Sequence, residues 1–227
     1  MVTLVAEEAR HAARVLRQKK GDDIVASDGL GKRYEAKIVS ISFKEVVAKI
    51  QSVETGKNEP QIRLALAVGL TKGEKFDWLV EKATEMGATA IFPFFARHSE
   101  IRWNAEQIAR NAARWPRVAL AAFKQCGRSV LPRIEVLKNL AEVISRKKDA
   151  GIVAAHPVTE SATSLERHRP LQDVIGVVGP EGGFAPEELE AIRQSGGQLV
   201  SLGPRRLRTE TAGLVLMAKL FFLKAEL

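Results

Sequence analysis

The sequence predicts an α/β protein in which a small β-rich N-terminal domain precedes a larger domain with a mainly parallel sheet. Residues 22–53 contain short apolar runs separated by turn signals, which is typical of β-structure. After Pro60, apolar runs alternate with amphipathic segments, which is typical of a parallel sheet with crossover helices. The segment 55–60 is polar, with a glycine and a proline, and has the composition of a linker. We therefore place the domains at residues 1–58 and 61–227.

The first domain is predicted to begin with a helix and to continue as β-structure. Residues 7–18 place Ala9, Ala13 and Leu16 on one side of a helix and three arginines on another. A domain of about 50–60 residues is only marginally stable unless it docks onto something larger. Strands are predicted at 24–26, 34–41 and 46–53, with a hairpin turn at Asp28-Gly29-Leu30-Gly31.

The second domain is predicted to alternate strands with helices. Pro116 is expected to bend or break the longest helix. The last helix has one charged residue, Lys219, between Ala212 and Leu223, so we expect it to be buried in the core or at an oligomer interface. Strands are predicted at 62–68, 89–95, 151–155, 174–178 and 198–202, and helices at 74–86, 104–126, 186–194 and 209–226.

The excess of positive charge lies in the middle of the chain. The formal net charge is +8. Residues 97–148 hold 12 Lys and Arg against 4 Asp and Glu, whereas residues 1–60 hold 11 against 9. The basic segment is either a nucleic-acid surface or a solvated helix face, and we favour the first. The candidate phosphate contacts are Arg10, Arg14, Arg17, Arg110, Arg114, Arg117, Lys124, Arg128 and Arg205.

Several classes of protein are disfavoured by what the sequence contains. A single cysteine, Cys126, makes no internal disulfide and suits a reducing cytoplasm. The start of the chain does not have the pattern of a signal peptide, and the apolar C-terminal stretch is too short to span a membrane. We expect no metal, because the histidines lack ligand spacing, and interpret His11, His98, His156 and His168 as structural or surface residues. The tryptophans Trp78, Trp103 and Trp115 are expected in the core or an interface rather than against RNA bases.

Two loops near the C-terminus are the most specific feature of the chain. Residues 179–183 (GPEGG) and residues 202–212 each follow a predicted strand and precede a predicted helix. Ligands of open parallel sheets bind at the carboxyl ends of the strands, so the two loops are expected to form two walls of one site. Taken alone, the first loop is equally compatible with a tight turn into the helix at Pro186. No phosphate-binding glycine motif is present, and Glu181 with the acidic start of the next helix favours a neutral or cationic ligand.

The second loop concentrates charge at the start of a buried helix. Arg205, Arg206 and Arg208 precede Glu210 within six residues. Such charges are costly near a core unless they are paired or used. Arg208 and Glu210 either form a structural ion pair or orient a substrate, and the adjacent glycine-rich loop favours the second interpretation.

These motifs identify a resemblance to the RsmE family, bacterial methyltransferases that act on N3 of a uridine in small-subunit ribosomal RNA. The resemblance covers almost the whole chain, and the order and spacing of the two C-terminal motifs are its most specific part. The matching segments are GPEGGF at 179–184, LGPR at 202–205, LRTET at 207–211, RVLR at 14–17, KGEK at 72–75, KA at 82–83, EMG at 85–87, QCGR at 125–128 and HP at 156–157.

The resemblance implies an N-terminal PUA-like β-barrel and a C-terminal SPOUT domain with a trefoil knot. It also implies S-adenosylmethionine as cofactor, a homodimer, and ribosomal RNA or the small ribosomal subunit as partner. Arg208 is then expected to stabilise the uridine anion, and Glu210 to hold Arg208 or accept the proton. The cofactor contacts, mostly through backbone atoms, are expected at Gly179, Pro180, Glu181, Gly182, Gly183, Leu202, Gly203, Leu207, Thr209 and Thr211.

The chain departs from the family pattern in a few places. No basic strand is predicted before the first helix, Arg206 replaces the usual aliphatic residue, and Lys124 replaces the usual acidic one. Two other functions remain open from the residues alone: an RNA-binding assembly protein without catalysis, and a nucleotide- or sugar-phosphate enzyme. Binding of S-adenosylmethionine distinguishes the first from a methyltransferase, and tight ATP binding would indicate the second.

Overall fold

The computed structural model describes residues 1–71, 75–157, 163–164 and 172–223. The predicted motif at 72–74, His168 and the last residues of the final helix lie outside these ranges. The chain forms two compact units, Met1–Glu59 with Gly127–Val130 and Pro60–Cys126 with Leu131–Leu227. Among the described helices, none combines the length and the apolar character that crossing a membrane would need.

The first unit is built on an antiparallel sheet of four strands with the order β1-β4-β3-β2. The strands β1 and β2 are its two edges, so within the described residues the sheet does not close into the expected barrel. Small and branched side chains of the helix and strands form its core, including Ala9, Ile24, Ile38 and Val46. The strands are β1 (Val2–Val5), β2 (Asp23–Ser27), β3 (Lys32–Ile41) and β4 (Glu45–Thr55).

The start of the chain differs from the sequence prediction. Strand β1 was not expected, because four residues give too little alternation to detect. Helix α1 (Ala6–Arg10) continues as a π-helical turn, in which the amide of Leu16 donates to the carbonyl of His11 five residues earlier. The wider turn changes which side chains face inward: Ala12 joins the core, whereas Leu16 is 57% exposed.

The segment Gly127–Val130 is held in the first unit by one carboxylate. Glu59 accepts hydrogen bonds from the backbone amides of Ser129 and Val130 at 2.7 and 2.8 Å. Its other oxygen accepts from Nη2 of Arg128 at 2.6 Å, and Arg128 is only 3% exposed. The prediction that Arg128 contacts RNA phosphates is therefore wrong, because its guanidinium is buried and neutralised by Glu59.

Within the described residues, the second unit contains seven parallel strands in the order β7-β6-β5-β10-β8-β11-β9. The predicted α/β architecture and its five main strands are confirmed. Two strands of two residues each and the short helix Leu140–Ser145 were not predicted. The strands are β5 (Arg63–Gly69), β6 (Ala90–Phe94), β7 (Arg133–Ile134), β8 (Gly151–Ala155), β9 (Thr163–Ser164), β10 (Asp173–Val178) and β11 (Gln198–Ser201).

Helices cover both faces of this sheet. The cluster around Leu64, Leu66 and Val68 of β5 includes residues of α2, α3 and α6, whereas α4 and α5 contribute to the cluster on the other face. Helix α3 continues through Pro116, which lies at an exposed position and removes the one backbone hydrogen bond that its missing N–H would donate. The helices are α2 (Lys75–Glu85), α3 (Ala105–Cys126), α4 (Leu140–Ser145), α5 (Pro186–Gln194) and α6 (Thr209–Phe222).

Candidate functional site

Three loops meet at the carboxyl edge of the parallel sheet. The first loop (residues 179–183) follows β10, the second loop (202–208) follows β11, and a third loop (95–101) follows β6. Strand β8 lies between β10 and β11 in the sheet. Because all these strands run in parallel, their loops emerge at the same edge, which is where ligands bind in open α/β sheets.

The first loop is a tight turn packed onto the end of β5. The amide of Gly183 donates to the carbonyl of Pro180 at 2.8 Å, and Gly183 has a φ of +73°, which favours glycine. A Cβ atom on Gly69 would lie 2.6 Å from Cδ of Pro180 and 3.0 Å from the carbonyl carbon of Gly179. The loop backbone therefore lies directly against β5, with no room for a side chain between them.

The first and second loops, predicted to form one site, are in contact. The hydroxyl of Thr209 donates to the carbonyl of Gly179 at 3.2 Å. Nη2 of Arg206 donates to the carbonyl of Glu181 at 2.9 Å. The residue that departs from the family pattern thus joins the two loops, and Thr209, the first residue of α6, ties the helix to the first loop.

Open space lies beside both loops. A Cβ atom on Gly183, or on Gly203 with its φ of +123°, would meet no atom of another described segment within 4 Å. Leu202 and Leu207 are partly buried and pack against the main core, while Thr211 is exposed on the first turn of α6. The loop backbones therefore border a space that a ligand can enter.

The two candidate catalytic side chains have different surroundings. Arg208 is exposed at the N-terminal end of α6 and makes no ion pair with any residue that the structure describes. Glu210 is mostly buried, with Oε1 4.0 Å from Nζ of Lys75 and Oε2 without a partner among the described residues. The structural ion pair between Arg208 and Glu210, one of the two alternatives, is not formed.

The third loop was missed by the sequence analysis. Nδ1 of His98 donates to the carbonyl of Gly182 at 3.2 Å. Ser99 is buried and donates through its hydroxyl to the carbonyl of Leu70 at 2.9 Å. His98, which the sequence analysis interprets as a structural or surface residue, therefore lies against the first loop. No local pattern reveals this, because 84 residues separate the two partners in the chain.

Glu188 has a structural role at the start of α5. Its two oxygens accept hydrogen bonds from the amides of Arg97 and Ala185, at 3.1 and 2.9 Å, and the residue is 8% exposed. The expectation that the acidic start of this helix favours a cationic ligand therefore applies to the exposed Glu187 and Glu190 but not to Glu188. Glu188 lies three residues after the N-cap Ala185 and caps its amide; because alanine has no side-chain acceptor, only this half of a capping box is formed.

The end of β8 contributes a half-buried imidazole, that of His156. The backbone amide of His156 donates to the carbonyl of Val200 at 2.9 Å. Nδ1 is buried and finds no partner in the described part of the chain. Burial lowers the pKa of His156, and the nearby charge of Arg193 lowers it further, so the ring is neutral at pH 7. In the described ranges, no group of three or more His, Cys, Asp or Glu is arranged to hold a metal ion.

The predicted phosphate contacts other than Arg128 are exposed. Arg114 forms an ion pair with Asp77, which also accepts a hydrogen bond from Nε1 of Trp115. Trp115 is 1% exposed, which confirms its place in the core, whereas Trp78 is 45% exposed. The exposed set consists of Arg10, Arg14 and Arg17 in the first unit, Arg110, Arg114, Arg117 and Lys124 along one face of α3, and Arg205 in the second loop.

The chain is similar to known proteins over nearly its full length. The RNA methyltransferase domain model matches residues 57–221, and the RNA methyltransferase PUA domain model matches residues 6–51. The ribosomal RNA small subunit methyltransferase E of Bacillus subtilis is 28% identical over 97% of this chain and 89% of its own. The protein of the same name from Buchnera aphidicola of Acyrthosiphon pisum is 30% identical, over 95% of this chain and 86% of its own.

Solved structures agree with this relationship. A probable rRNA-methyltransferase from Porphyromonas gingivalis has a TM-score of 0.86 and 32% identity, over 98% of this chain and 93% of its own. A ribosomal RNA small subunit methyltransferase E from Neisseria gonorrhoeae bound to S-adenosyl methionine has a TM-score of 0.84 and 28% identity, over 98% and 91%. With both domain models matched in order and a relative of this identity and coverage, the chain belongs to the RsmE family of RNA methyltransferases.

Proposed function

We propose that this protein methylates N3 of a uridine in small-subunit ribosomal RNA, with S-adenosylmethionine as the methyl donor. The observation that carries the proposal is the junction of the two glycine-containing loops at the carboxyl edge of the sheet, with the exposed guanidinium of Arg208 beside it. The relative from Neisseria gonorrhoeae binds S-adenosyl methionine, and the curated relatives are named as methyltransferases of small-subunit ribosomal RNA.

The residues present fit the cofactor. Gly183 and Gly203 border open space that side chains would fill, and backbone groups beside such glycines suit an adenosyl ligand. S-adenosylmethionine supplies an electrophilic methyl group on a positively charged sulfur, and the carboxylates of Glu181 and Glu210 favour a cation there. The residues proposed to hold the cofactor are Gly179, Pro180, Glu181, Gly182, Gly183, Leu202, Gly203, Leu207, Thr209 and Thr211.

Positioning is the main task of the catalytic residues. N3 of uridine must lose its proton as it attacks, so the site needs a group that stabilises the anion and a group that accepts the proton. Arg208 is exposed and unpaired among the described residues, and it supplies the stabilising charge. Oε2 of Glu210 is buried and has no partner among the residues that the structure describes, and we assign Glu210 the role of proton acceptor.

The RNA is proposed to lie along the exposed arginines and lysine. Arg110, Arg114, Arg117 and Lys124 repeat at intervals of three, four and seven residues, which places them on one face of α3. Arg10, Arg14 and Arg17 form a second exposed group in the first unit. Because phosphate contacts release counterions, binding through these groups weakens steeply as salt is added.

We also propose that the protein forms a homodimer and that its C-terminal segment forms a trefoil knot. Phe222 on α6 and Trp78 on α2 are 71% and 45% exposed, as expected for side chains that a second copy covers. After β11 the chain returns past β8 and β10, so that Gly213 of α6 faces Leu66 of β5. This return supports the proposal that the last segment threads a trefoil knot.

The test compares Arg208→Ala with the wild type. We expect the variant to lose methylation by at least about a hundredfold, because the charge that stabilises the reacting anion is removed. Its affinity for S-adenosylmethionine, measured by calorimetry, should stay unchanged. Mass mapping of uridines in ribosomal RNA from a deletion strain complemented with each form gives the second readout. Arg133→Ala, a remote exposed arginine, is the control and should methylate normally; full methylation by Arg208→Ala would refute the assigned role.

A further inference from the structure

Four successive carbonyls of the first loop each accept a hydrogen bond. Gly179 accepts from the hydroxyl of Thr209, and Pro180 from the amide of Gly183. Glu181 accepts from Nη2 of Arg206, and Gly182 from Nδ1 of His98. Exposed loops rarely have each carbonyl bonded within the chain, since water usually satisfies them. This loop therefore has its shape fixed before any ligand arrives.

Two of these donors are exposed side chains that reach the loop from different segments. Arg206 belongs to the second loop and His98 to the third. A carbonyl oxygen only accepts hydrogen bonds, so the ring of His98 must carry a hydrogen on Nδ1. Because both residues are exposed, neither side chain is part of the hydrophobic core. Their contribution is directed at the turn itself.

Hydrogen bonds anchor the residues on both sides of His98. Ser99 is buried and bonds to the end of β5, and the amide of Arg97 is held by the carboxylate of Glu188. A Cβ atom on Gly182 would lie 2.9 Å from Cβ of His98 and 3.1 Å from its carbonyl oxygen. The third loop thus lies in direct contact with the first, and these contacts fix the backbone of His98 beside the turn.

We propose that His98 and Arg206 are cofactor-positioning residues, which hold the carbonyls of Gly182 and Glu181 and keep the turn in its ligand-binding form in the free protein. The inference rests on the proposed binding of S-adenosylmethionine at this turn. A loop that is ordered beforehand loses less conformational entropy on binding, so these two donors raise the affinity for the cofactor without touching it.

The experiment uses pairs of variants that separate the donor from the shape of the side chain. His98→Asn keeps an N–H donor near the position of Nδ1, whereas His98→Asp has the same shape but only accepts. Arg206→Met removes the donor and keeps most of the length. Arg97→Met is the control, because Arg97 is an exposed arginine of the third loop whose side chain makes no hydrogen bond or ion pair with the described residues.

Two quantities are measured on the purified full-length chain. Calorimetry gives the dissociation constant of S-adenosylmethionine, and hydrogen exchange gives the protection of the amide of Gly183 in the cofactor-free protein. We expect His98→Asp and Arg206→Met each to weaken cofactor binding by about three- to tenfold and to speed exchange of this amide. We expect His98→Asn and Arg97→Met to stay within about twofold of the wild type, because neither variant loses a bond to the turn.

The outcomes distinguish this inference from the proposed function. Equal affinity and equal exchange in His98→Asp, Arg206→Met and the wild type would overturn the inference, as would a loss in His98→Asn as large as in His98→Asp. If the wild type itself failed to bind S-adenosylmethionine, the proposed function would fall. The exchange of the Gly183 amide, which is measured without cofactor, would still decide whether the two side chains order the turn.

Discussion

Replacing Gly69 with alanine tests whether packing at the end of β5 sets the shape of the first loop (residues 179–183). Gly69 is the last residue of β5 and is buried between β6 and β10. A Cβ atom at this position would lie 2.6 Å from both the nitrogen and Cδ of Pro180. Ordinary contact begins at 3.4 Å, so the loop or the strand must move by about 0.8 Å to relieve the overlap.

The loop is expected to move rather than the strand. Gly69 is paired with Phe94 of β6, and Val68 before it is paired with both neighbouring strands, whereas the turn after Pro180 borders open space at Gly183. Overpacking of this kind costs about 1–3 kcal/mol. If that cost falls on the ligand-binding form of the loop, the affinity for S-adenosylmethionine decreases by about 5- to 150-fold.

Calorimetry with S-adenosylmethionine measures whether the strain weakens cofactor binding. Urea unfolding measures whether it lowers the free energy of unfolding. The matched control is Gly176→Ala in β10, where the new Cβ would lie 3.2 Å from Cδ2 of Leu216, the end of a flexible side chain. We expect the control to bind the cofactor normally and to change the free energy of unfolding by less than about 1 kcal/mol. Wild-type affinity and an unchanged unfolding midpoint in Gly69→Ala would refute the reasoning.

Three further predictions concern the rest of the molecule. Glu59→Ala removes the carboxylate that pairs with the buried guanidinium of Arg128 and should lower the free energy of unfolding by about 3–5 kcal/mol, which urea titration measures; a loss below about 1 kcal/mol would contradict it. The hydrogen bonds and charge of Arg63 lower the pKa of Asp173, so this pair stabilises the fold above about pH 4 and the effect is lost as the pH falls through the lowered pKa. Arg63→Met should therefore have a lower melting temperature than the wild type at pH 7, with the difference vanishing in acid; a difference independent of pH would contradict the assignment. For RNA binding, Arg117→Ala should reduce the slope of log K against log salt by about one, and an unchanged slope would exclude Arg117 from the phosphate contacts.

The sheet of the second unit was predictable from the sequence, because strands buried on both faces consist almost entirely of apolar residues. Strands β5 and β10 are almost uninterrupted apolar runs; β5 ends in a glycine, Gly69, and β10 is followed by one, Gly179. Strands of two residues, such as β7, leave no such signal. The π-helical turn after α1 was equally hidden, because one changed hydrogen bond alters which residues face inward without altering composition.

The site was predictable only where its parts are close in the sequence. The two loops contain their own glycines and charges, and the contacts of Arg206 and Thr209 with the first loop agree with the expected single site. His98 contributes through a contact that depends on the order of the strands. Arg128 was predicted to contact RNA, but it forms a buried ion pair with Glu59. The sequence did not reveal this pair, because the two residues are far apart in the chain.

The most direct test of the central claim is a crystal structure of the protein with S-adenosylmethionine. We expect the adenosyl group between residues 179–183 and 202–207, held largely by backbone atoms, with the methyl group facing the space that Arg208 borders. A cofactor bound at another edge of the sheet, or a space between these loops filled by the side chains of Glu181 or Glu210, would contradict the proposed function.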